Sequence, residues 1–201
     1  MLATVSAAVD QQRICRSADG EKMSDWAEGY VADVNYTHGY YQELNPARLA
    51  FAILNAGYRP PRIETACELG FGQGISINIH SAASEVEWFG NDFNPSQTKF
   101  AVDLSEATAS APTLTDDSFE EILKDTALPD FDFIGLHGVW SWVSPENRRA
   151  IVQFVASKLK VGGILYMSYN TMPGWSGFAT VRAMLTEHAQ VYGVQGEGIL
   201  K

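Results

Sequence analysis

The sequence predicts an α/β fold, a mostly parallel sheet with helices on both faces. Three observations carry that expectation. From residue 61 onward, short apolar runs alternate with helical stretches at the spacing of strand–helix–strand units. The first run, Thr65–Leu69, passes directly into a turn with glycine at alternate positions, Gly70-Phe71-Gly72-Gln73-Gly74. A later run, Phe131–Leu136, reads as a buried strand.

The elements follow in order. Residues 1–22 are small and polar and are expected to form a flexible N-terminal arm. Residues 23–60 are expected to form a helical cap: a short helix at 25–31, an aromatic loop at 36–41, then a helix opened by Asn45-Pro46. Leu49, Ile53 and Leu54 give that helix an apolar stripe, Gly57 ends it, and Pro60-Pro61 forces an extended exit. After the strand at 65–69, a helix is expected near 74–83 and a second strand at 86–91. Asn94-Pro95 caps a helix through Thr108, followed by a short strand at 113–115 and a brief helix at 118–124. Beyond the fourth strand, Ser144-Pro145 opens a helix whose inner face is Ile151, Phe154, Val155 and Leu159, with Gly162-Gly163 expected to close it. A fifth strand is expected at 164–169 and a last helix near 177–192.

Composition narrows the function. The chain has 201 residues and a mass of 22.1 kDa, enough for one domain or one with a small appendage. No apolar run is long enough to cross a bilayer, and no basic-then-apolar leader opens the sequence. Cys15 and Cys67 are too few for a disulfide framework or a zinc site, so a cytoplasmic location is the simplest expectation. A net charge of -10 argues against a nonspecific nucleic-acid binder. The charge is uneven. Residues 61–135 hold 14 acids and 3 bases, whereas residues 136–201 hold 3 acids and 6 bases. The central acidity reads either as solvated helix faces or as the surroundings of a cationic ligand.

In parallel sheets ligands bind beyond the carboxyl ends of the strands, so the turns there are the candidate sites. The glycine turn is not the dinucleotide fingerprint, because its third glycine comes one position early and Ile75 follows it. It is not a P-loop either, lacking Gly-Lys-Ser/Thr. Asp92 ends the second strand, where a carboxylate either accepts the two hydroxyls of a ribose or caps the next helix.

Glu68-x-Gly70-x-Gly72-x-Gly74, with Asp92 after the second strand and Asp116-Asp117-Ser118 after the third, resembles the class I S-adenosylmethionine-dependent methyltransferases. The resemblance covers roughly residues 24–192 and implies a Rossmann-like class I methyltransferase fold, with 61–201 as its catalytic domain. It implies that S-adenosyl-L-methionine is the cofactor and S-adenosyl-L-homocysteine the product. Gly70, Gly72 and Gly74 would pass under the methionine portion, Asp92 would bind the ribose, and Asp117 with Ser118 would meet the adenine. Phe71 and Phe93 fall within the same cofactor-binding set. Two longer strings, 136–148 and 168–175, resemble bacterial methyltransferases that carry a C-terminal regulatory domain, some of which methylate lysines of rickettsial outer-membrane proteins. An amine of a protein or small molecule is the acceptor that this implies.

The chemistry fits the resemblance. Methyl transfer from a sulfonium is an in-line displacement that depends on alignment. A cationic cofactor favours carboxylates and aromatic faces around it, which Glu68, Asp92 and Asp117 supply. Tyr36, Tyr40 and Tyr41 either fold over the cofactor or pack their loop onto the domain. His137 follows the fourth strand and either contacts cofactor or acceptor, as base or hydrogen-bond partner, or sits satisfied in a loop. Trp140 and Trp142 would point in opposite directions if extended, with Trp140 taken as an acceptor-side residue. Tyr169 and Asn170 either touch the acceptor or brace the loop before Pro173-Gly174-Trp175. His38, His80 and His188 lack metal-ligand spacing, so no metal is expected.

Five strands are expected, against the seven usual in this family, so the C-terminal hairpin is expected to be missing and the chain to be C-terminally short. The fifth strand would then be an apolar edge, covered by the N-terminal segment, by a second copy in a homodimer, or by further domains. Two other functions remain open: a catalytically idle cofactor-binding or regulatory module, and a small-molecule O- or C-methyltransferase.

Overall fold

A computed structural model describes residues 37–108 and 110–192. The expected arm, the helix at 25–31 and Tyr36 lie outside the described residues. Five strands form a single parallel sheet: β1 (Thr65–Leu69), β2 (Glu87–Asn91), β3 (Thr113–Thr115), β4 (Phe131–Leu136) and β5 (Leu159–Met167). Among the described residues, six α-helices connect or flank them: α1 (Pro46–Asn55), α2 (Ile75–Ala82), α3 (Pro95–Thr108), α4 (Phe119–Lys124), α5 (Pro145–Lys158) and α6 (Ser176–Tyr192). The strand order is β3-β2-β1-β4-β5. The chain steps outward from β1 to β3, returns past β1 and continues to β5. The reversal lies between β1 and β4, the place where such sheets open a ligand crevice.

Local chemistry starts the helices where the sequence suggests. The Asn45 side chain accepts from the Ala47 amide, and Pro46 occupies the first turn of α1. Ser144 caps α5 through the Asn147 amide. At α4, Ser118 and Glu121 bond each other's backbone amides in a capping box.

Strand alternation divides the core in two. Cys67, Leu69, Ile134 and Leu136 face α4 and α5, meeting Phe119, Ile122, Ile151 and Phe154. Ala66, Trp88 and Phe133 face the other way and pack with Phe71, Ile77 and Ala101. Glu68 shares this second face. Its register neighbours are Gly90 on β2 and Gly135 on β4, so neither adjacent strand places a side chain against its carboxylate.

Three expectations need correction. Gly162-Gly163 do not close α5, which ends at Lys158; they lie inside β5. The pairing jumps from Phe131↔Leu159 to Phe133↔Ile164, so residues 160–163 form an irregularity, with Gly162 at φ +86°. A Cβ on Gly163 would meet the Asp132 and Lys160 carbonyl oxygens at 3.0 Å, so the glycine allows a close backbone approach. The irregularity sets Lys160 Nζ 3.0 Å from Asp132, whose Oδ2 also accepts from the Glu64 and Thr65 amides at the entry to β1. Secondly, β5 stops at Met167, leaving Tyr169 and Asn170 beyond the strand. Thirdly, Leu54 is 57% exposed, so the expected stripe of α1 reduces to Leu49, packed on the second cluster, and half-buried Ile53, beside buried Pro46.

Candidate functional site

Because all five strands are parallel, their carboxyl ends line one rim: Asp117 after β3, Asp92 after β2, the glycine turn after β1, His137 after β4 and Ser168 after β5. Gly74 caps α2 in the left-handed conformation, and the space a Cβ would need is taken by the Ala101 side chain. Asp92 holds this turn in shape. Its Oδ2 accepts from the Gly72 amide at 2.8 Å and its Oδ1 from the Asn94 amide at 3.0 Å. Asp92 is 7% exposed. Burial raises its pKa to about 6, opposed by those two backbone bonds. Each oxygen keeps a second lone pair for a further donor.

Glu68 is 3% exposed, and its Oε2 has no hydrogen-bond partner. Burial first, and then the neighbouring Asp92 charge, push its pKa up to about 8. Among the described residues, neither carboxylate has an ion-pair partner. A buried orphan acceptor beside a second buried acid is a costly arrangement that a cationic group would relieve.

The loop before α1 crosses this rim. The Tyr41 amide donates to Ser76 Oγ on α2 at 2.8 Å, while its ring stacks on His137 with centroids 4.5 Å apart. The strap thus links α2 to the end of β4, across the crevice between β1 and β4. Leu44, in the short 3-10 turn Gln42–Leu44, seats above Gly135. Tyr40 goes elsewhere. Its hydroxyl lies 3.3 Å from His80 Nε2, and His80 in turn stacks on Trp88. Tyr40 therefore fastens the strap to α2, the packing alternative of the two read from the sequence.

His137 Nδ1 lies 3.1 Å from the Tyr166 hydroxyl, and burial lowers its pKa, so the ring is neutral at pH 7. Ser168 Oγ accepts from the Gly138 amide at 2.7 Å. The sequence reading missed Tyr166 and Ser168. Their two-residue spacing, with Tyr166 in β5 and Ser168 one residue past its end, was the available signal, since continued extension puts both on one side. Ser76 was missed as well.

At the β3 end, Asp117 is half-buried, with its pKa raised chiefly by burial. Its carbonyl accepts from Asn91 Nδ2 at 2.9 Å. The Ser118 side chain is committed to the α4 capping box. Phe93 is half-buried directly after Asp92. Phe71 is a core side chain, 5% exposed and packed with Ile77 and Trp88. Its backbone amide bonds the Asn91 carbonyl, so it shapes the turn from beneath.

Trp140, Tyr169 and Asn170 meet around a separate cleft of about 370 Å³ between the β4–α5 turn and the start of α6. Residues 140–142 turn rather than extend, so Trp140 and Trp142 both line it, correcting the expected opposition of the two rings. The Asn170 amide donates to Ser141 Oγ at 2.7 Å, which braces the loop. Arg148 and Arg182, which the sequence reading did not select, complete the wall. Among the described residues, no group of three or more potential metal ligands occurs, and no helix is long and apolar enough to cross a membrane.

The strand order, the crevice at the reversal and the glycine turn with Asp92 make up the class I methyltransferase fold, and comparison with known proteins agrees. The structure superposes on PKMT2 from Rickettsia typhi in complex with AdoHcy with a TM-score of 0.68 and 25% identity, covering 80% of this chain and 31% of that one. A S-adenosylmethionine-dependent methyltransferase from Clostridium acetobutylicum shares the fold at a TM-score of 0.51 and 12% identity, over 64% of this chain and 50% of that one. In sequence, the chain is 44% identical over 170 residues to the uncharacterized protein sll1526 of Synechocystis sp., covering 82% of this chain and 33% of that protein. It is 32% identical over 146 residues to the uncharacterized protein RP028 of Rickettsia prowazekii, covering 68% of this chain and 55% of that protein. The chain thus spans between about a third and about half the length of these two relatives. No family model matches the sequence.

Proposed function

We propose that this chain is the cofactor-binding core of an S-adenosylmethionine-dependent methyltransferase whose acceptor is an amine, such as a protein lysine. The observation that carries the reading is the orphan Glu68 carboxylate oxygen beside Asp92, under a glycine turn and at the strand reversal. The PKMT2 superposition, with AdoHcy in that protein, supports the same reading.

The residues fit such a cofactor. Gly70, Gly72 and Gly74, all at positive φ, make the tight turn that would pass under the methionine portion, where Glu68 and Asp92 favour positive charge. Asp92 keeps lone pairs for the ribose hydroxyls while it holds Gly72 and Asn94. The resemblance to class I methyltransferases assigns the adenine end to Asp117, half-buried after β3. The bound cofactor supplies an electrophilic methyl on a positively charged sulfur. Tyr41 shields that region from water and fixes the plane of His137. In the tautomer whose Nδ1–H donates to the Tyr166 hydroxyl oxygen, Nε2 of the neutral imidazole carries the free lone pair and can take the proton an ammonium must lose before it attacks.

Calorimetry with S-adenosylhomocysteine, paired with a labelled-methyl assay on protein acceptors, tests the reading. Saturable binding is expected, with label entering lysine. The dinucleotide NAD, used as a control, is expected not to compete, because Ile75 begins α2 directly after Gly74. Competition by NAD, or an absence of S-adenosylhomocysteine binding, overturns the reading.

A further inference from the structure

The cleft beside the rim has a charge that the amine reading alone does not explain. It is walled by Trp140, Trp142, Tyr169 and Trp175, with Arg148 and Arg182 among them and no acidic residue in its lining. The Arg148 guanidinium lies 5.6 Å from the Trp140 ring centre, and that of Arg182 lies 5.9 Å from the Trp142 ring centre. Arg148 spends its Nε on the Trp140 carbonyl at 3.0 Å, which fixes the head and leaves its terminal nitrogens. Among the described residues, neither arginine has a carboxylate partner. In a chain of net charge -10, two unpaired arginines in one cleft form a local reversal of sign.

Resting on the methyltransferase reading, we propose that this cleft binds an acidic side chain of a polypeptide acceptor, a Glu or Asp close in sequence to the methylated amine. Guanidinium groups seated over indole rings keep N–H donors for a planar carboxylate. The aromatic walls accept the aliphatic stem of the same segment. The groove is open rather than enclosed: Trp142 is 51% exposed and Tyr169 54%. That openness suits an extended chain passing through, where a small molecule would be better enclosed. The cleft adjoins the rim, because Ser168 after β5 bonds Gly138 and is followed directly by Tyr169 and Asn170. A segment with its carboxylate here would have its neighbouring amine near His137.

The test uses the full chain and two peptides, one with Glu on both sides of a single Lys and one with Gln in those places. Binding is followed by tryptophan fluorescence and calorimetry, with and without S-adenosylhomocysteine. The acidic peptide is expected to bind at least ten-fold more tightly than its neutral counterpart, and the preference is expected to vanish in Arg182→Gln and to fall in Arg148→Gln. Arg182 is exposed, so its replacement leaves the fold intact. Equal affinity for the two peptides, or a preference that survives Arg182→Gln, overturns the proposal. So does tight binding of indole-3-carboxylate with no binding of either peptide, which would make the cleft a small-molecule site. S-adenosylhomocysteine binding is read separately, so loss of the cofactor reading and loss of the acidic-peptide reading give different results.

Discussion

The ring of Tyr41 stacks on the imidazole of His137, 26° from parallel and 4.5 Å between centres. Tyr41 also ties its amide to Ser76 on α2, and His137 ties Nδ1 to Tyr166 on β5. One loop residue therefore connects α2, β4 and β5 across the crevice at the strand reversal. The strap is part of the candidate site and more than a lead-in to α1.

Tyr41→Ala is expected to weaken S-adenosylhomocysteine binding by about two- to ten-fold, the range for an aromatic pair worth roughly 0.5–1.5 kcal/mol. Tyr41→Phe keeps the ring and is expected to bind nearly as the parent does. Calorimetry on the two variants decides. Equal losses would shift the role from the stack to the hydroxyl, which lies 3.1 Å from Thr37 Oγ1.

Asp92 does two jobs, and two substitutions separate them. Asp92→Asn keeps an acceptor oxygen but removes the charge, and is expected to cost about 1.5–3 kcal/mol of cofactor binding. Asp92→Ala also strands the Gly72 and Asn94 amides, so its melting temperature is expected to fall well below that of Asp92→Asn. Calorimetry reads the first effect and thermal denaturation the second. Equal melting temperatures would mean that the two amide bonds do not hold the turn.

The strands, most helix starts and the glycine turn were legible in the sequence because their causes are local. Asn45, Ser118 and Ser144 cap helices that begin one residue later, and Thr65–Leu69 runs into its turn without a break. The start of β5 was not legible. A glycine pair after a helix usually ends it, and here it lies within a strand because residues on both sides of it pair with β4, a long-range contact. The partners of His137 were also hidden, since Tyr166 is 29 residues away and Tyr41 almost 100. Likewise, Arg182 reaches Trp142 only because α6 folds back, a long-range fact that no local pattern encodes.

His80 should make the protein sensitive to acid. Burial against Trp88 and Tyr40 lowers its pKa to about 4, from an ordinary value near 6.5. The folded chain thus binds fewer protons than the unfolded chain between those values. Its contribution to stability is complete above pH 6.5 and is lost as pH falls toward 4. Denaturant titrations at pH 7 and pH 5 are expected to show that loss in the parent and a smaller one in His80→Gln. An unchanged pH dependence in the variant would remove His80 as the cause.

Glu68 acts in the opposite direction and reports on the cofactor. Its folded pKa is raised to about 8, so the carboxyl is largely protonated at pH 7, and the unliganded fold loses stability as pH rises from about 4.5 through 8. Glu68→Gln is expected to flatten that loss. A cationic cofactor group near Oε2 would stabilise the carboxylate and expel its proton. Binding of S-adenosylhomocysteine, whose ammonium is the positive group, is therefore expected to release most of one proton at pH 7 and to tighten from pH 6 to pH 8. Calorimetry in phosphate and in Tris, buffers of different ionisation enthalpy, measures the proton count directly. Asp92, with a pKa near 6, contributes little to this count at pH 7, so the release should nearly disappear in Glu68→Gln. Binding without proton release in the parent would mean that the orphan oxygen of Glu68 does not meet the charged end of the cofactor.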